Sequence, residues 1–176
     1  MVTVQAAREC PQDVKKLCKE NGIKHFWIEL NGANRALLTD KVTLKYLRKR
    51  VRELMQILNT NEEVCMIHCA AGIHRTGSIG FTLLRLGSGG SLSKEAAYLA
   101  LKTLREDTHK GVGDWRIDLA DEYLVLPILE ATPEDPAIPD DCPGGDPTLE
   151  ATAAGVTPEA ATEEEPEEEC KEEVGE

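Results

Sequence analysis

The stretch from Val64 to Gly77, VCMIHCAAGIHRTG, limits this chain more than any other. Val64–His68 reads as a short buried strand. It delivers Cys69 into a glycine-bearing loop. Arg75 follows six residues after that cysteine, at the start of a predicted helix over 75–86. A strand that feeds a helix through a tight loop is a βα junction. Together with the alternation of strand-like and helix-like segments around it, it predicts an α/β domain with a mostly parallel central sheet flanked by helices.

The same loop carries the chemistry. A helix N-terminus offers unpaired N–H groups and partial positive charge. Amides in a turn of this kind converge into an anion-binding nest. Such surroundings lower a cysteine pKa from about 8.5 to roughly 3.5–7.5, so Cys69 is expected to be a thiolate able to attack phosphorus. Arg75 supplies a planar fork for two phosphate oxygens. The expected phosphate cradle is Cys69, Ala70, Ala71, Gly72, Ile73, His74 and Arg75. Gly72 lets the backbone approach the ligand, Gly77 permits close packing at the helix start, and Thr76 can donate a hydrogen bond to the sulfur. His68 is placed to order the loop backbone. His74 is expected either to line the pocket mouth or to face solvent.

Elsewhere the pattern alternates. Val2–Gln5 is β-prone, Pro11 opens a helix to about Glu20, and Lys24–Leu30 reads as a strand. Residues 31–40 are expected to form a loop. In Lys41–Leu58, the residues Leu44, Leu47, Val51, Leu54, Met55 and Leu58 make one apolar helical stripe, with Lys45, Arg48, Lys49 and Arg52 on a solvated face. Lys94–Lys110 reads as one helix capped by Ser91 or Ser93, and a last helix runs from Trp115, capped by Asp114, until Pro127 kinks or ends it.

From Thr132 this order dissolves. Residues 132–176 hold sixteen Asp or Glu, one basic residue and seven of the nine prolines. Such a segment buries too little apolar surface to offset its ordering entropy, so it is expected to be a disordered acidic tail after a catalytic domain of residues 1–131. The tail carries −15 of the formal −12, leaving the body at +3. That mild positive charge suits anionic substrates and is too weak to imply nucleic-acid binding. The six cysteines show no metal-ligand spacing and no dense disulfide framework, so neither a metal nor a cofactor is called for. No signal-peptide core and no membrane-spanning run is present. A reducing intracellular compartment, cytoplasmic or nuclear, is the expectation.

His68-Cys69, five residues, then Arg75-Thr76-Gly77 resembles the protein tyrosine phosphatase superfamily, and the Ala-Gly inside the loop is most similar to its dual-specificity group. The resemblance implies a parallel sheet flanked by helices over residues 1–130. It implies Cys69 as nucleophile, Arg75 as phosphate clamp and Thr76 as the hydroxyl that assists hydrolysis of a cysteinyl-phosphate. It also implies additional strands ahead of the segment at Val2–Gln5. The family's leaving-group acid lies about thirty residues before the cysteine. Asp40 lies 29 before Cys69, yet it also stands where the Lys41–Leu58 helix begins, so acid and N-cap are both open for it. Glu29 is a weaker substitute, because strand alternation fixes its direction.

Three functions follow. The first is a protein phosphatase acting on phosphotyrosine, with phosphoserine and phosphothreonine as further substrates and a phosphoprotein as partner. The second is a phosphate-binding module with little or no catalysis. The third is a phosphoinositide or RNA 5′-phosphatase, disfavoured because Ala70, Ala71 and Ile73 give the loop no lysines. Cys65 is either core packing or a partner for oxidised Cys69. The tail is either a solvating spacer or an anionic competitor folded on the body.

Overall fold

The structure, a computed structural model, describes residues 1–60 and 64–131. The expected acidic tail lies outside the described residues. Among the described residues the chain is an α/β unit with a small parallel sheet and a larger helical share.

Strand β1 (Val2–Gln5) sits in the middle of a sheet of order β2-β1-β3. It pairs in parallel with β2 (Phe26–Glu29), where Val4 faces Ile28, and with β3 (Ile67–His68), where Thr3 faces His68. Val2, Val4, Phe26 and Ile28 are buried, as expected of strands covered by helices. A 3₁₀ turn at Ala7–Glu9 and helix α1 (Pro11–Glu20) link β1 to β2.

Helix α3 (Lys41–Thr60) lays its predicted stripe into the core. Leu44, Leu47, Val51 and Leu54 are buried, while Met55 and Leu58 pack at the margin. Each fully buried leucine contributes roughly 1.5–3 kcal/mol. The solvated-face reading fails at Arg48, whose Nε donates to the Tyr123 carbonyl at 2.8 Å and ties α3 to the C-terminal helical run.

Helix α4 (His74–Gly87) is the central helix. Gly77, Ile79, Gly80 and Phe81 are buried along it, and the chain continues through α5 (Lys94–Leu104), α6 (Glu106–Val112), α7 (Asp114–Ala120) and α8 (Leu126–Glu130).

Four boundaries differ from the sequence reading. Residues 31–40 hold a short helix, α2 (Arg35–Thr39), started by Asn34, whose side chain accepts from the Leu37 amide at 2.9 Å. The single helix expected over 94–110 breaks at Arg105, whose extended backbone (φ −161°, ψ 118°) turns α6 away from α5. Gly113, not Asp114, precedes α7; Asp114 is its first helical residue. The buried strand expected over 64–68 shrinks to Ile67–His68, with Val64 99% and Met66 60% exposed. An edge strand has only one neighbour to order it, so its outer residues are left uncovered.

Pro127 does not end the last helix. A π-helical segment at Asp121–Val125 precedes it and leads directly into α8. Proline lacks an N–H and crowds the carbonyl four residues back, here Tyr123. The wider π turn absorbs both defects.

Candidate active site

The loop between β3 and α4 carries Cys69 to the C-terminal end of the sheet, where strand carbonyls end and the α4 amides begin. Cys69 is 7% exposed and its thiol is free. Burial pushes its pKa up. The Thr76 hydroxyl and the amides of Thr76, Gly72 and Ile73 act in the opposite direction, and together they hold it below the usual thiol value. The structure therefore brings the predicted nucleophile and its amide nest together. The Thr76 hydroxyl is buried without a well-aligned partner, close enough to the sulfur to favour the thiolate.

Gly72 has φ +67°, a backbone region that favours glycine. A Cβ there would lie 2.3 Å from Arg105 Nη1. The loop is clamped from behind by α6. Thr108 donates its hydroxyl to the Gly72 carbonyl at 2.6 Å, and Arg105 Nη1 donates to the Ala71 carbonyl at 3.3 Å. With these carbonyls bound outward, the amides are left to face the sulfur. At Gly77 a Cβ would meet Val112 Cγ2 at 2.6 Å, so only glycine lets α4 start this close to α6.

Arg75, the predicted clamp, carries a partner that sequence reasoning did not find. Its Nη2 donates to Glu9 Oε1 at 2.7 Å and its Nη1 donates to Glu9 Oε2. Nη1 also donates to the Leu30 carbonyl at 3.0 Å. A guanidinium has five N–H donors. Two are used end-on by Glu9 and one by Leu30. The Nε–H and the second Nη2 hydrogen remain as a side-on fork, and the Cys69 sulfur lies close enough to the guanidinium to hydrogen-bond it. Glu9 thus orients the arginine and leaves a fork of the width that two phosphate oxygens need. The Arg75 pair, set against the cost of burial, holds the Glu9 carboxyl at about 2, helped by the Ala6 amide, which donates to Oε2 at 2.7 Å. Glu9 is carried there by the 3₁₀ turn that directly follows β1. A Glu next to an Arg and a Cys in sequence has no motif signature, which is why it was not legible.

His68 does not bond to the loop among its recorded contacts. Its Nε2 is 2.8 Å from Thr3 Oγ1, and that hydroxyl is also 2.9 Å from His25 Nε2. Thr3 is fully buried on β1. Its one proton serves one ring, so the other imidazole donates to it. His74 is largely exposed at the loop's edge, and partial loss of water and the Arg116 charge hold its pKa below the usual value against a Gly111 backbone hydrogen bond that raises it.

Asp40 is committed elsewhere. Its Oδ2 accepts from the Thr43 amide at 2.8 Å and its carbonyl accepts from the Leu44 amide at 2.9 Å, which is the N-cap of α3. The Thr43 bonds hold its carboxyl below the usual value. Glu29 lies on β2, in register with Gln5, and its amide is bound by the Tyr46 hydroxyl at 2.8 Å. Burial raises the pKa of the Cys65 thiol. No group of His, Cys, Asp and Glu among the described residues is arranged to hold a metal ion. No helix among them is long and apolar enough to cross a membrane.

Comparison with family models, curated proteins and solved structures found no match to this chain.

Proposed function

We propose that this chain is a cysteine-dependent phosphatase that hydrolyses phosphomonoesters, phosphotyrosine in proteins first, through a cysteinyl-phosphate. One observation carries the reading: the buried Cys69 thiol has the backbone amides of Gly72, Ile73 and Thr76 and the Arg75 guanidinium within hydrogen-bonding reach. The likeness of the loop to that of the protein tyrosine phosphatases supports it.

The step follows from the groups present. The Cys69 thiolate attacks phosphorus in line with the leaving oxygen. The S–P bond forms as the P–O bond breaks. The amides and the Arg75 fork stabilise the charge on the three equatorial oxygens. Water then cleaves the S–P bond, giving inorganic phosphate, and the Thr76 hydroxyl stabilises the departing thiolate.

Asp40 is engaged as a cap, and residues 31–34 hold no carboxylate. Leaving-group protonation, worth roughly 10²–10⁴-fold in rate, is therefore weak in this site, and activated aryl phosphates are the fastest substrates. Steady-state hydrolysis of a phosphotyrosine peptide and of an activated aryl phosphate tests this. Cys69→Ser abolishes both activities, and Asp40→Asn changes both by the same small factor. A selective loss on the peptide in Asp40→Asn would restore Asp40 as the acid.

The engagement of Arg75 by Glu9 favours a second reading, a phosphate-binding module with little turnover. It predicts phosphate binding without any covalent intermediate.

A further inference from the structure

Thr3 is a polar residue in the middle of the sheet, and the chemistry above gives it no part. It is fully buried on β1. Strand alternation points its side chain away from Val2 and Val4, to the face that His68 shares. Its Oγ1 lies 2.8 Å from His68 Nε2 and 2.9 Å from His25 Nε2. One side chain of the central strand is thus tied to both neighbours. His25 comes just before β2, and His68 is the last residue of β3. Burying a hydroxyl is costly unless it is bonded, and valine, of nearly the same shape, would carry no such cost. A polar network that is satisfied makes its surroundings rigid and selects one arrangement of them.

Strand β3 needs such a restraint. It has two residues, it pairs only with β1 among the described residues, and Val64 and Met66 before it are exposed. Its backbone tie to β1 includes a bond from the Val2 amide to the Met66 carbonyl at 2.7 Å. So little apolar packing leaves the register of a strand weakly specified. A slip of one residue would turn His68 to the other face, and a slip of two would carry it about 7 Å along the strand. Either slip breaks the bond to Thr3. Cys69 is the next residue, its Cα about 3.8 Å from that of His68. Whatever fixes the end of β3 therefore fixes where the sulfur enters the loop.

We propose that Thr3 and His25 are positioning residues for Cys69, which pin the register of β3 through His68 and so hold the sulfur at the loop amides. The hydroxyl has one proton for two rings, so one ring accepts it and the other donates to the oxygen. His25 thereby acts on His68 through Thr3, although it stands two strands away from Cys69. The consequence for turnover rests on the phosphatase reading; the consequence for the thiol does not.

The pH profile of alkylation in the full-length protein, read at the Cys69 peptide by mass spectrometry, tests this, with aryl phosphate hydrolysis and thermal unfolding alongside. Thr3→Val keeps the shape and loses the hydroxyl. It moves the Cys69 midpoint up by about half a pH unit or more, the scale of one lost hydrogen bond. It also lowers kcat on the aryl phosphate about tenfold, with KM little changed. Thr3→Ser restores both. His25→Leu shifts the midpoint the same way by less, and serves where Thr3→Val does not fold. Ile28→Val, buried on β2 and outside the ladder, lowers the melting temperature and leaves the midpoint in place. An unmoved midpoint in Thr3→Val and His25→Leu overturns the proposal. So does an equal shift in Ile28→Val, which would make the effect one of general stability, and so does a Thr3→Ser as impaired as Thr3→Val. Aryl phosphate turnover by the wild type with an unmoved midpoint removes the ladder alone. A shifted midpoint in a protein whose wild type releases no phosphate keeps the ladder and removes the phosphatase reading.

Discussion

On the proposed function, the Glu9–Arg75 pair sets the phosphate clamp before any substrate arrives. Glu9 and the Leu30 carbonyl fix the plane of the guanidinium, with the Cys69 sulfur in its reach. Glu9→Gln keeps the shape but loses the charge, and is expected to lower kcat/KM on aryl phosphates by about 10–100-fold, since misplaced clamps cost rate at this scale. The pair also makes stability depend on pH. The Glu9 carboxyl is lowered from an ordinary 4.5 to about 2, so its contribution is complete above about pH 4.5 and is lost as pH falls toward 2. With the carboxylate 26% exposed, that contribution is on the order of 1–3 kcal/mol. Denaturant unfolding of wild type and Glu9→Gln should show a stability gap at neutral pH that closes by about pH 2. A constant gap would mean that the charge is not what stabilises. Thr76 makes a parallel case. Thr76→Val removes a hydroxyl that favours the Cys69 thiolate, so the pH midpoint of Cys69 alkylation should move up. An unmoved midpoint would assign the lowered pKa to the amides alone.

At the scale of elements, α6 is the back wall of the site. Thr108 and Arg105 hold the loop carbonyls outward, and Val112 meets the start of α4. Gly77→Ala forces its Cβ against Val112 Cγ2 and is expected to cost about 1–3 kcal/mol, the range for overpacking. Combining it with Val112→Ala should recover much of the lost melting temperature; no recovery would place the strain elsewhere. The parts legible in the sequence were those with a period or a motif. The α3 stripe, the parallel α/β class and the Cys69-to-Arg75 spacing are of this kind. What was not legible depended on chain segments meeting from a distance. Glu9 reaches Arg75 across 66 residues and Arg116 reaches Ala33 across 83. Neither has a local signal. The break at Arg105 was hidden because the residues on both sides of it favour helix. Asp40 was ambiguous for a physical reason: one carboxylate can serve as acid or as cap, and only the Thr43 contact separates the two.

At the scale of the molecule, the sheet is small and asymmetric. Strand β3, which leads to Cys69, is paired only with β1 among the described residues, so the loop is braced less by the sheet than by α4 and α6. This explains how a two-residue strand can hold Cys69 in place. Its position is fixed after the cysteine, by the helix start and the carbonyl clamps. The proposed function asks one event of this arrangement, transfer of a phosphoryl group to sulfur. Rapid-quench labelling with a radiolabelled aryl phosphate tests that most directly. The account predicts a covalent phosphate on Cys69 in the wild type, at up to one per chain, and none in Cys69→Ser. Absence of any covalent label in the wild type, together with no release of phosphate, would contradict it.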